Sequence, residues 1–269
     1  MKKNLVITAA LVCALGLPAA EKTIQFRTAA DFKPAGIENA DQETLRINKA
    51  QTYVCSKLFP IDPAKKYIVS GDFKMEKGTP CKVLLTVCQH TAGGTPIYGN
   101  QVYAVQGTDT ELAAPVKKGD EAVTLKDSAN WGDATRGGIY RVAFGTDPSQ
   151  SDLPNLRLSP RLGAFTPQAG ETRIPVKGKI MRDYPAGTKV RMHRDVWGGS
   201  EIIVQTDTEW TSVDRTIAPA QKLPAKQMFP YMWWPRAQKM SITISILSPK
   251  SFPADGVLLI RDLKLEQED

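Results

Sequence analysis

The stretch that decides the fold class is KKYIVSGDFKM, residues 65–75. Tyr67, Val69, Gly71, Phe73 and Met75 fall on one side of it, and Ser70, Asp72 and Lys74 on the other. A period of two is the signature of a strand with one face buried and one in water. MSITISIL, residues 240–247, repeats it, with Met240, Ile242, Ile244 and Ile246 against Ser241, Thr243 and Ser245. EIIVQT (201–206) and TKVRMH (188–193) are rich in β formers, CKVLLTV (81–87) is apolar on both sides, and GVLLIRDLKLEQ (256–267) supplies the last strand. No window sustains a helical period beyond about 12 residues. NADQETLRINKA (39–50) has room for one short helical turn. With 20 Gly and 19 Pro as turn formers, the reading is an all-β protein, a sandwich or barrel of short strands.

The chain has 269 residues, with 42% hydrophobic and 23% charged. That is ordinary globular composition and enough length for a proper core. Residues 1–20 read as a signal peptide. Lys2 and Lys3 precede an apolar run from Leu5 to Leu17, and Pro18-Ala19-Ala20 offers the cleavage site. That run is shorter than the roughly 20 residues of a membrane helix. Cys13 follows Val12, where a lipid-attachment motif wants a small residue. The expected location is therefore secreted, periplasmic or cell-surface, with no membrane span. Removing two lysines and no acids lowers the formal charge from +7 to +5, and the charge is scattered. That pattern fits a solvated surface, and it argues against a nucleic-acid partner, which wants basic residues clustered with aromatics.

Three cysteines remain. Cys81 and Cys88 lie about 23 Å apart on one extended stretch at ~3.3 Å per residue, too far to bond within it. Cys55 paired with either one, or three free thiols, both fit an exported chain. With two histidines and no C-x-x-C there is no zinc-site spacing. No G-x-S-x-G and no phosphate-cradling glycine loop occurs. Asp207, Glu209 and Asp214 lie close along the chain around Trp210, which keeps a glycoside hydrolase or polysaccharide lyase as a third reading.

FPYMWWPRAQ (229–238) is the densest aromatic cluster. Trp, Tyr and Arg are favoured at binding surfaces, and aromatic rings stack on the C–H faces of sugars. In an extended segment Trp233 and Trp234 point to opposite faces, and Pro230 and Pro235 make it an edge or loop. Trp233, Trp234, Tyr231 and Arg236 are the expected ligand-binding residues, with Trp197 in its Gly-rich turn as a rim. Trp131 and Trp210 are expected in the core.

Three segments resemble carbohydrate-binding modules of the galactose-binding-like jelly-roll type. They are Tyr67 to Lys74, Glu209 to Ile217, and Leu258 to Glu266, although Arg261 stands where an acid is common. The stretch TELAAPVKKG…VTLKDSANW…ETRIPV…YPAGTKV resembles small β-modules of phage tail and exported surface proteins. The resemblances imply a discontinuous jelly roll of residues 21–105 and 196–269, with an inserted β-module at 106–195. They further imply a non-catalytic protein that binds carbohydrate or polysaccharide, with a structural or adhesion protein binding another surface protein as the alternative. Such modules often carry a structural calcium held by an acid of the final strand, where Asp262 stands. No other cofactor is implied.

Overall fold

The computed structural model describes residues 22–134, 139–196, 200–220, 231–247 and 252–268. Trp197 and Pro230 lie outside them. Strands dominate, as the alternation requires. Nine come first: β1 (Thr23–Gln25), β2 (Phe32–Lys33), β3 (Ile37–Asn39), β4 (Thr44–Ile47), β5 (Thr52–Cys55), β6 (Phe59–Pro60), β7 (Tyr67–Lys77), β8 (Lys82–His90) and β9 (Pro96–Ile97). Five follow in the middle: β10 (Thr110–Glu111), β11 (Ala122–Leu125), β12 (Tyr140–Phe144), β13 (Thr172–Pro175) and β14 (Lys189–Arg194). The last four are β15 (Ser200–Gln205), β16 (Thr211–Ile217), β17 (Lys239–Ile246) and β18 (Val257–Gln267). The stretch read as a short helical turn carries β4 instead, because Leu45 and Ile47 are pulled into the core.

Two large antiparallel sheets form a sandwich. One runs β16-β7-β18-β4-β3, with β1 also on β18; the other runs β15-β8-β17-β5-β2, with β6 on β17 and β9 on β8. Tyr67, Val69, Phe73 and Met75 of β7 and Leu258, Ile260, Leu263 and Leu265 of β18 form one inner face. Val83, Leu85 and Val87 of β8 and Met240, Ile242, Ile244 and Ile246 of β17 form the other. Each apolar side chain fully buried in this way contributes about 1.5–3 kcal/mol. Between Thr110 and Arg194, β10-β14-β12 and β11-β13 make two smaller sheets around a second buried cluster. Trp131 belongs to it, its indole N–H donating to the Thr108 carbonyl at 3.0 Å. Cys55, Cys81 and Cys88 are free thiols, and burial pushes all three up from the ordinary thiol range.

A polar clamp joins the two regions. Arg141 and Arg161 both grip the Asp195 carboxylate, whose side chain is fully buried, and Asn100 Nδ2 donates to it at 3.3 Å. Burial alone would raise this carboxyl; the donors outweigh burial and hold it below the usual carboxylate range.

The six-stranded sheet carries a register shift between β18 and β7. Arg261 pairs with Asp72 and Lys264 pairs with Ser70, so Asp262 and Leu263 together oppose the single residue Gly71. Two residues facing one is a β-bulge. Asp262 absorbs it with φ 51°, a left-handed conformation that Asp tolerates. Leu263 then drops into the core against Gly71. A Cβ on Gly71 would lie 3.0 Å from Leu263 Cδ1 and 3.3 Å from Leu263 Cα. Gly71→Ala is therefore expected to cost about 1–3 kcal/mol by overpacking, measured as a lower urea midpoint with unchanged slope.

Candidate functional site

Without the bulge, strict alternation would send Asp262 inward. The extra residue resets the phase, so Arg261, Asp262 and Lys264 all face the outer side of the sheet while Leu263 and Leu265 stay buried. Across the strands, Asp214 of β16, Ser70 of β7, Lys264 of β18 and Gln25 of β1 stand in one registered row. At ~4.8 Å per strand the row is about 14 Å long. Ser212, Asp72 and Arg261 form the next row. This second row is tied to itself: Ser212 Oγ donates to Asp72 Oδ1 at 2.6 Å, and Arg261 Nε donates to Asp72 Oδ2 at 3.1 Å. The Arg261 guanidinium also lies 4.1 Å from the centroid of the Trp210 ring, a cation–π contact.

Between these walls lies an open depression of about 430 Å³, its polar lining made by Ser70, Asp72, Ser212, Asp214, Arg215, Asp262 and Lys264. A second depression of about 180 Å³ lies on the far side of the bulge, lined by Gln25, Arg27, Glu43, Asp262, Leu263 and Lys264. It opens where β18 changes neighbours, from β4 before the bulge to β1 after it. The two depressions share Asp262, Leu263's neighbour Lys264, and nothing else. Carboxylates, a hydroxyl, an amide and cations on one open face can donate and accept many hydrogen bonds at once.

The residues expected at the site fare differently. Trp233 and Trp234 are 0% and 1% exposed, so neither ring offers a stacking face. The segment that carries them is covered on both sides, so it has no outward direction. Trp233 meets Tyr67 edge-on at 5.3 Å on one side, and Trp234 meets Tyr103 edge-on at 5.8 Å. Gln89, buried in the sandwich, fixes the backbone between them: its Nε2 donates to the Met232 carbonyl at 3.0 Å, and its Oε1 accepts from Trp234 N–H at 2.7 Å. Arg236 is spent on structure, donating to the Ser151 carbonyl at 2.9 Å. Tyr231 is 37% exposed but lines neither depression; its hydroxyl donates to the Glu201 carbonyl of β15 at 2.8 Å, and the Arg215 guanidinium lies 5.9 Å from its ring centroid. Trp197 lies outside the described residues.

Asp262 is in the groove, beside Arg261 at 3.9 Å and sharing its lining with Lys264. Both are cations where a calcium site gathers oxygens. Among the described residues, no three His, Cys, Asp or Glu side chains stand together as a metal site. Trp210, expected in the core, is instead half-buried on the outer face under Arg261. It shares the parity of Ser212 and Asp214 along β16, which is what period two dictates. Among the described residues, no helix is long and apolar enough to cross a membrane.

No protein-family model matches the chain, and no curated protein matches it. A similar solved structure is a "putative sugar binding protein" from Bacteroides thetaiotaomicron VPI-5482. It is 9% identical, the match covers 93% of this chain and 90% of that chain, and the TM-score is 0.24, too low to argue from.

Proposed function

We propose that the chain is an exported, non-catalytic carbohydrate-binding protein, and that its glycan site is the bulged groove on the outer face of the six-stranded sheet. The observation that carries this reading is the registered row Asp214–Ser70–Lys264–Gln25 beside the half-buried Trp210. Sugar hydroxyls both donate and accept, so they need acceptors and donors mixed along one open surface, and this row supplies them. The proposal keeps the jelly-roll likeness read from Tyr67–Lys74, Glu209–Ile217 and Leu258–Glu266, and moves the ligand away from Trp233 and Trp234. Asp72, both of whose oxygens are engaged by Ser212 and Arg261, serves as a fixed wall of the groove.

The test is a glycan array followed by titration calorimetry on the hits. Hydrogen bonds to charged groups contribute about 1.5–3 kcal/mol, so Lys264→Ala and Asp214→Asn are each expected to weaken the glycan roughly tenfold or more. Both variants should keep the wild-type melting temperature. A wild-type protein that binds no glycan, or variants that bind as the parent does, would refute the assignment. Product release from a polysaccharide panel, lost in Asp214→Asn, would make it a hydrolase or lyase.

A second reading, an assembly or adhesion component that docks another surface protein, is favoured by a different face. On the outer side of the seven-stranded sheet, Ile203 is 63% exposed and stands in register with Leu84, Ser245 and Thr52, a row without charge. Ile203→Asp would abolish docking there and leave glycan binding intact.

A further inference from the structure

We infer that the groove takes an interior stretch of a neutral, linear glycan, lying across the strands over the bulge, and not a single sugar or a chain end. This rests on the carbohydrate reading above and deepens it.

Three observations carry it. The two depressions are not separate sites, because Asp262 and Lys264 line both. The bulge that holds Asp262 is a saddle between them, so a ligand filling both must pass over it. The polar row reaches from Asp214 on the edge strand β16 to Gln25 on β1, about 14 Å at ~4.8 Å per strand, which is longer than one sugar ring. Polar side chains furnish both ends of that row, Arg215 beside Asp214 in the first depression and Arg27 with Glu43 in the second. A site for a chain terminus would be closed at one end; this one is furnished at both.

The charge along the groove selects the ligand class. Asp72, Asp214, Asp262 and Glu43 are set against Arg215, Lys264 and Arg27, with Arg261 beside Asp72. Carboxylates lie in both depressions. Four cations match the four carboxylates, so an anionic polysaccharide meets a like charge in each half and gains no net attraction along the groove. Neutral sugars meet acceptors and donors only.

The experiment is calorimetry with the full chain and a size series of one neutral oligosaccharide that the array identifies, from the single sugar upward. Affinity should rise at least tenfold between the single sugar and the chain that fills both depressions, then level off. Arg27→Ala should flatten that rise, weakening the longest chain by a larger factor than the single sugar. The same variant should unfold at the parent temperature. Equal affinity for the single sugar and the longer chains, or an Arg27→Ala variant with the parent's length dependence, would overturn the two-depression assignment while carbohydrate binding stood. Tighter, salt-sensitive binding of an anionic polymer of the same length would overturn the neutral assignment. Absence of binding at every length would instead remove the carbohydrate reading itself.

Discussion

Trp233→Ala is expected to destabilise the protein by about 3–5 kcal/mol, the range for emptying a large buried aromatic site. The reason is placement. Trp233 is fully buried, packs edge-on against Tyr67 and sits on a backbone that Gln89 holds from inside the sandwich. Little can collapse into the void, because β7 on one side and β8 on the other are registered in their sheets. A fall of this size is a large share of a typical domain's 5–15 kcal/mol. Chemical denaturation reads it directly. A stable Trp233→Ala protein that had lost only glycan affinity would show that this ring is a ligand contact and not a plug.

The second large effect is with pH. His193 is fully buried in β14, and its Nδ1 lies 2.9 Å from the Asn100 carbonyl, so that nitrogen carries the proton and donates. Nε2 is then left to accept from Arg191 Nη2 at 3.3 Å. Arg191 is itself buried, paired to Asp152 at 3.0 Å and donating to the Asp147 carbonyl at 3.0 Å. Protonating the imidazole would place two cations together without water. Burial first and Arg191 second push the His193 pKa down to about 4. The unfolded imidazole titrates near 6.5, so below that pH the unfolded chain takes up a proton the folded chain refuses. Stability is therefore whole above about pH 6.5 and drains away as pH falls toward about 4, by roughly 3 kcal/mol in all. Urea midpoints at pH 7 and pH 4.5 check this. His193→Gln should lose less stability over that interval than the parent; an identical loss in both would assign the acid sensitivity elsewhere.

The fold class was legible because two inner strands, β7 and β17, keep period two in their sequence without interruption. Tyr67 to Met75 alternate in sequence and in burial, and Met240 to Ile246 do the same except at Ser241, which is buried with its apolar neighbours. Three features escaped that rule, each for a physical reason. Alternation predicts opposite faces for Trp233 and Trp234, but opposite faces differ in exposure only when one of them meets water. Arg191 and His193 sit at the outward positions of VRMHR and look solvated, yet the outer side of β14 is covered where the two regions meet, so both are buried. The groove was hidden in IRDLKL. There the doublet Arg261-Asp262 breaks the alternation, and Leu263 resumes it one step late. A charged pair at a phase slip in an otherwise regular strand is the written trace of a bulge. The two groove residues already singled out, Asp214 for hydrolysis and Asp262 for calcium, were found for different reasons.

The partner choices of β18 also govern how the chain comes together in time. The final strand is the hub of the six-stranded sheet: it pairs with β7, with β4 and with β1, joining Thr23 to Glu266 across nearly the whole polypeptide. That sheet cannot close until β18 is available, and pairings so distant in sequence form slowly. Until then Cys55 and Cys81 are open to oxidants as they are not afterwards, since the finished core shields them. The hazardous interval in the life of this protein lies before β18 docks, and the closing of that one strand ends it.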